Sequence, residues 1–137
     1  MTARPDTTPT LRIGELARLS GRSAHTIRWY EAQHLMPGAA RDAAGRRVFS
    51  QAHVDWLELM DRLRGSGMSI RQMQAYARQV REGKSTLAAR QELLREHRER
   101  VLARVAELNA SLALLDRKVA LYGTWIRKHG GSAQEPA

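Results

Sequence analysis

Arg28, Arg46 and Arg47 are the side chains of this sequence whose type and placement point most directly to chemistry. Arg28 stands within Ser23-Ala24-His25-Thr26-Ile27-Arg28-Trp29-Tyr30-Glu31, and Arg46-Arg47-Val48-Phe49 follows after a short interval. A guanidinium presents planar, bidentate donors that fit phosphate oxygens and the major-groove edge of guanine. Ser23, Thr26 and Tyr30 add hydroxyls suited to phosphate, and Trp29 adds either an indole donor or a packing surface. Tyr30 has a second reading, as a core residue. Arg41 lies across a turn from Arg46 and Arg47, and Arg12, Arg18 and Arg22 are further basic candidates. Such a set binds a polyanion and transforms nothing.

Other chemistry finds no support. The five histidines, His25, His34, His53, His97 and His129, have no i,i+4 pairing, so no metal site is expected. No nucleophile, base and acid are grouped and no glycine loop cradles phosphate, so neither an enzyme nor a cofactor is expected. With no cysteine in the chain, disulfides, thiolate metal sites and thiol redox sensing are excluded.

The elements that must position these residues are mainly helical. Ile13, Leu16 and Ala17 mark the inner face of a first short helix; Ala17, Gly21 and Ile27 are spaced four and then six apart, as a helix-turn-helix requires. Ala17 lets the helices cross closely, Gly21 takes the positive φ of the turn, and Ile27 fills the space between. Ser23 caps the second helix, which Leu35-Met36-Pro37-Gly38 ends. Asp42-Ala43-Ala44-Gly45 then turns between Ala39-Arg41 and Arg46-Phe49, a two-stranded wing. Ser50 caps a third helix with Val54, Leu57, Met60 and Leu63 inward, stopped at Gly65-Ser66-Gly67. Ser69 and Gln72 open a fourth as a capping box, with Ile70, Met73, Ala77 and Val80 inward and Gly83 closing it.

From Ser85 to Tyr122 neither glycine nor proline interrupts the chain, so one helix of some 37 residues, about 55 Å long, is expected. Leu94, Val101, Val105, Leu108, Leu112, Leu115, Val119 and Tyr122 form a heptad seam along it, a dimerisation coiled coil, with packing on the fourth helix as the alternative. His97 falls on or beside the seam as an interface or pH-sensitive contact. The organisation expected is a disordered tail over 1–10, a winged helix-turn-helix head over 11–83, the dimerisation helix over 84–122 and a tail over 123–137.

The net charge of +9 rests almost wholly on arginine, with only Lys84, Lys118 and Lys128 as lysines. Residues 1–81 hold 13 arginines against 7 acidic residues, so the excess leans towards the helix-turn-helix. Duplex DNA is the expected partner. The polar N-terminal residues carry no secretory signal and no apolar run approaches a membrane span, so a cytoplasmic protein without membrane attachment is expected.

Ile13-Gly14-Glu15-Leu16-Ala17, Thr26-Ile27-Arg28-Trp29-Tyr30-Glu31, Leu35-Met36-Pro37, Gly45-Arg46-Arg47-Val48-Phe49 and the long closing helix together resemble the MerR family of bacterial transcription regulators, over residues 11 to about 122. Segments such as Arg64-Gly65-Ser66-Gly67-Met68-Ser69-Ile70 and Leu93-Leu94-Arg95-Glu96-His97-Arg98 resemble its aldehyde- and thiol-stress branch. Trp29 stands where the family usually has tyrosine. The resemblance implies a homodimer whose antiparallel closing helices hold two winged heads on successive major-groove faces of a pseudo-palindromic promoter. It also implies RNA polymerase at that promoter, and control of transcription by bending and untwisting the DNA. Cysteine-based sensing cannot operate in this chain, and only about fifteen residues follow the long helix, where drug-binding members carry a further domain. An unidentified small-molecule inducer could lodge among Trp56, Met60, Met68, Met73, Tyr76 and Trp125, although core packing is the competing role for most of them. The other reading of the basic surface is a non-specific or architectural DNA-binding protein; a third is a coiled-coil adaptor whose head binds protein.

Overall fold

The computed structural model describes residues 10–38 and 40–130; the expected tail over 1–10, all but Thr10, lies outside the described residues, as do Ala39 and 131–137. The elements run α1 (Ile13–Ser20), α2 (Ala24–Ala32), β1 (Ala40–Arg41), β2 (Arg47–Val48), α3 (Gln51–Gly65), α4 (Ile70–Glu82), a single 3-10 turn (Lys84–Thr86) and α5 (Leu87–His129). The strands are antiparallel, with Ala40 opposite Val48 and Arg41 opposite Arg47. A further antiparallel bridge joins Leu11 to Phe49 and pins the base of the hairpin to the residues before α1.

Three consecutive helices stop in the same way. A residue at or just past each C-cap takes a left-handed conformation, Gly21 (φ 69°) capping α1, His34 (φ 58°) after the cap of α2 and Gly67 (φ 99°) after that of α3. The next amide then reaches back to a carbonyl of the last turn: Arg22 N to Ala17 O at 3.1 Å, Leu35 N to Tyr30 O at 2.9 Å, Met68 N to Leu63 O at 2.9 Å. This reversal satisfies carbonyls that a helix end leaves open. In α2 and α3 it also brings an apolar pair together, Leu35 with Tyr30 and Met68 with Leu63, all buried. Helix α2 therefore ends at Ala32, before the Leu35-Met36-Pro37-Gly38 stop expected from sequence, and Leu35 and Met36 enter the core.

Leu16, Ile27, Tyr30, Leu35, Phe49, Leu57, Met60 and Met73 are almost fully buried, so α1, α2, the wing, α3 and α4 share one core. Burying an aliphatic side chain of this size contributes roughly 1.5–3 kcal/mol. Ser69 and Gln72 form the expected capping box on α4. On α3 the ring of His53, rather than a carboxamide, accepts the Ser50 amide at 3.1 Å.

The described residues up to His97 form one compact unit and those from Arg98 onwards another. The head accordingly runs past the boundary expected at residue 83: Leu93 and Leu94 pack on its core and His97 is buried. Leu94 is thus withdrawn from the seam into the head. The Nε2 atom of His97 lies 2.7 Å from Ser66 Oγ, which places this histidine inside its own chain rather than on a seam. The second unit is helical to His129, so the tail expected from 123 begins later. One glycine inside a helix costs about 1 kcal/mol, too little to stop a helix of 43 residues at Gly123. No helix among the described residues is long and apolar enough to cross a membrane.

Candidate nucleic-acid interface

Helix α2 is seated from below. Ser23 Oγ accepts the Thr26 amide at 3.1 Å and lies 3.0 Å from Thr26 Oγ1, which fixes the first turn. Ile27 and Tyr30, three apart, bury one face, and the Tyr30 hydroxyl donates to Asp61 Oδ1 of α3 at 2.8 Å. Arg22, in the turn before α2, pairs with the other oxygen of Asp61 and also donates to the Ser20 carbonyl. Burial, and the bond to Asp61, push the Tyr30 phenol above its ordinary value, while the Arg22 guanidinium holds Asp61 below the usual carboxylate range. Sequence offers Tyr30 either as a phosphate contact or as a core residue, and Arg22 as a secondary basic candidate. Their polar atoms instead fasten α2 and the turn to α3, and Tyr30 has no surface to offer.

Seating that face turns Arg28 outwards, where it is exposed. Trp29 packs partly into the core, edge-on to Tyr30 with ring centroids 5.3 Å apart, and carries the Arg64 guanidinium 4.7 Å from its own centroid. Trp29 therefore packs, one of the two roles open for it, while its ring stays half-exposed. Arg64, with His25, Thr26 and Trp29, lines a shallow cleft beside the first turn of α2. In the sequence Arg64 stands out only within the segment that resembles a branch of the family, because it sits 38 positions after Thr26 and nothing local joins it to α2.

The wing is built on Asp42. Its Oδ1 accepts the amides of Ala44 (3.0 Å) and Arg46 (2.9 Å), and its Oδ2 meets the Arg12 guanidinium at 2.6 Å. The Arg46 amide and Arg12 together hold the Asp42 carboxyl below its ordinary value. Gly45, at φ 79°, closes the turn, and its carbonyl accepts from Arg41 at 2.7 Å. Arg47 is ion-paired with Glu31 of α2.

These tie points shape an open cleft of about 570 Å3 between α2 and the wing. Arg12, Arg28, Arg41, Arg46 and Arg47 all line it, together with Glu31. Five of the arginines expected from sequence thus converge on one concave surface. Arg18 is exposed on α1 but does not line this cleft. In the second unit Val105, Leu108, Leu112, Leu115, Val119 and Tyr122 are exposed by 45–71%, and Ile126, four residues on, extends the stripe. Val101 is half-buried.

The family model for the MerR HTH family regulatory protein matches residues 11–80. An HTH-type transcriptional regulator of Haemophilus influenzae is 33% identical over 113 residues, covering 82% of this chain and 84% of that protein. The HTH-type transcriptional regulator AdhR of Bacillus subtilis is 30% identical over 92 residues, 67% of this chain and 66% of AdhR. Among solved structures, HiNmlR, a MerR family regulator lacking the sensor domain and bound to promoter DNA, superposes with a TM-score of 0.77 at 31% identity, over 89% of this chain and 96% of that one. A MerR family regulator from Listeria monocytogenes gives 0.81 at 35% identity, over 88% and 91%.

Proposed function

The chain belongs to the MerR family of HTH regulatory proteins, and we propose that it binds a pseudo-palindromic promoter site as a homodimer and controls transcription there by bending and untwisting the DNA. The observation that carries this reading is the convergence of five arginines on the cleft between α2 and the wing. Arg28 reaches base edges in the major groove; Arg46, Arg41 and Arg12 hold phosphates on the wing side, and Arg18, Ser23, Thr26 and Arg64 hold them on the other. The apolar stripe from half-buried Val101 through exposed Val105 to Tyr122 joins two chains, so two heads meet the duplex together. RNA polymerase is the partner at the promoter, and the cytoplasm is where it acts. Bending and untwisting costs on the order of 1–6 kcal/mol, which contacts from both heads offset. The pocket expected for an inducer draws no support from the core, where Met60, Met68, Met73 and Tyr76 pack tightly and Trp56 stacks on Tyr76.

Selection from random-sequence duplexes followed by footprinting tests the proposal. One protected inverted repeat in the presence of competitor DNA supports it, and uniform coating supports non-specific binding instead. On the selected site, Arg28→Ala should cost about 1–3 kcal/mol and relax preference at one base position. Arg46→Ala should weaken all sequences alike and lower the salt slope by about one.

A further inference from the structure

Glu31 is out of place in a surface that would hold a polyanion. It projects from α2 one turn beyond Arg28 and lines the arginine cleft, where its charge repels phosphate. Its side chain is only 12% exposed and is paired with Arg47, whose own side chain is 45% exposed. The same two residues also line the neighbouring cleft formed with His34, Arg41 and Arg81, so the pair stands as a wall between the two.

Two features of the wing explain why a carboxylate is needed there. Arg41 and Arg47 face each other across the two-stranded ladder, and like charges placed directly opposite destabilise such a ribbon. Glu31 supplies the counter-charge. The two strands themselves have little apolar hold on α2: of their four residues only Val48 is even half-buried, and the wing's apolar anchor is Phe49 at its base, buried in the shared core. The backbone bridge of Phe49 to Leu11 and the pairing of Arg12 with Asp42 fix the hairpin's base to the residues before α1, which leaves the far side of the wing without a polar tie to α2 other than Glu31 to Arg47 among the described residues.

We propose that Glu31 and Arg47 are a positioning pair that sets the wing against α2, so that Arg47 acts as a strut and not as a phosphate contact. The inference rests on the DNA-binding reading above. It reverses the role that Arg47 carries in the sequence, where an arginine in a wing reads as a phosphate grip. It also makes Glu31 a determinant of affinity, because Arg28 and the wing arginines must present their donors at a fixed separation to engage one duplex.

Simple electrostatics and a strut predict opposite signs for Glu31→Gln. If Arg47 were merely held back from DNA, removing the carboxylate would release it, tighten binding and steepen the salt dependence. A strut requires that Glu31→Gln weaken binding about tenfold, the order expected for one charge-assisted pair, with the salt slope unchanged. Arg47→Gln should match it in both respects, the double variant should be no worse than either single one, and Glu31→Arg with Arg47→Glu should restore part of the loss. Dissociation constants are measured at several salt concentrations on a duplex selected by the unaltered protein, with thermal midpoints confirming that each variant is folded. Tighter or unchanged binding by Glu31→Gln, or a slope lowered by about one in Arg47→Gln, overturns the strut while leaving the DNA-binding reading intact. Failure of the unaltered protein to select any duplex overturns that reading, and the strut with it.

Discussion

His34 closes α2 in the left-handed conformation that α1 and α3 give to glycine. A Cβ in that region clashes with the neighbouring backbone, and His34 is exposed, so its ring recovers little by packing. His34→Gly should therefore raise stability by about 1 kcal/mol, and Gly21→Ala should lower it by a similar amount, both read from thermal or urea unfolding. A second residue, His53, accepts the Ser50 amide through Nδ1 and is held below its ordinary value of 6.5, chiefly by burial. Its neutral form belongs to the folded state, so its contribution is complete above 6.5 and is lost as pH falls from there through the lowered value. Asp61 and Asp42, both depressed from 3.8, add an acid limb at lower pH with the same sign. Unfolding free energy against pH should show the upper limb flatten in His53→Gln, whose carboxamide can still cap α3. Arg28 and Arg46 were legible in sequence because their neighbours lie close along the chain. Asp61, Glu31 and Arg64 were not, because what gives each its role is a partner 16 to 39 positions away: Arg22 for Asp61, Arg47 for Glu31, and Trp29 and His25 for Arg64.

Elements were legible wherever a period or a cap repeats. The spacing of Ala17, Gly21 and Ile27 placed the helix-turn-helix, the Ser69 and Gln72 box placed α4, and Asp42 to Gly45 placed the wing turn, because each depends on chemistry within a few residues. Ends and allegiances were less legible. Leu94 keeps the heptad spacing yet packs on the head, since a helix face serves whichever apolar surface lies beside it. Gly123 looked like a stop, whereas Ile126 continues the stripe beyond it. The uncovered stripe carries a direct expectation. Replacing Leu108 and Leu115 together by glutamate places charges where two helices should meet, and should convert a dimer to a monomer in sedimentation. Helical content and the unfolding of the head should persist, because that core is closed by residues up to His97.

For the whole molecule, the arginine cleft and the apolar stripe make sense as parts of one device. A single head offers one concave basic surface, too little to distinguish a promoter from the excess of other DNA, and joining two heads squares the discrimination that one achieves. Without cysteine in this sequence, a signal through thiol chemistry is excluded. The binding stoichiometry and site geometry on a selected duplex test this arrangement most directly, by footprinting combined with mass measurement of the complex. Two chains should protect an inverted repeat whose half-sites lie about one helical turn, roughly 34 Å, apart on one face. A single chain bound to an undivided site, or protection spread evenly along the duplex, would contradict it.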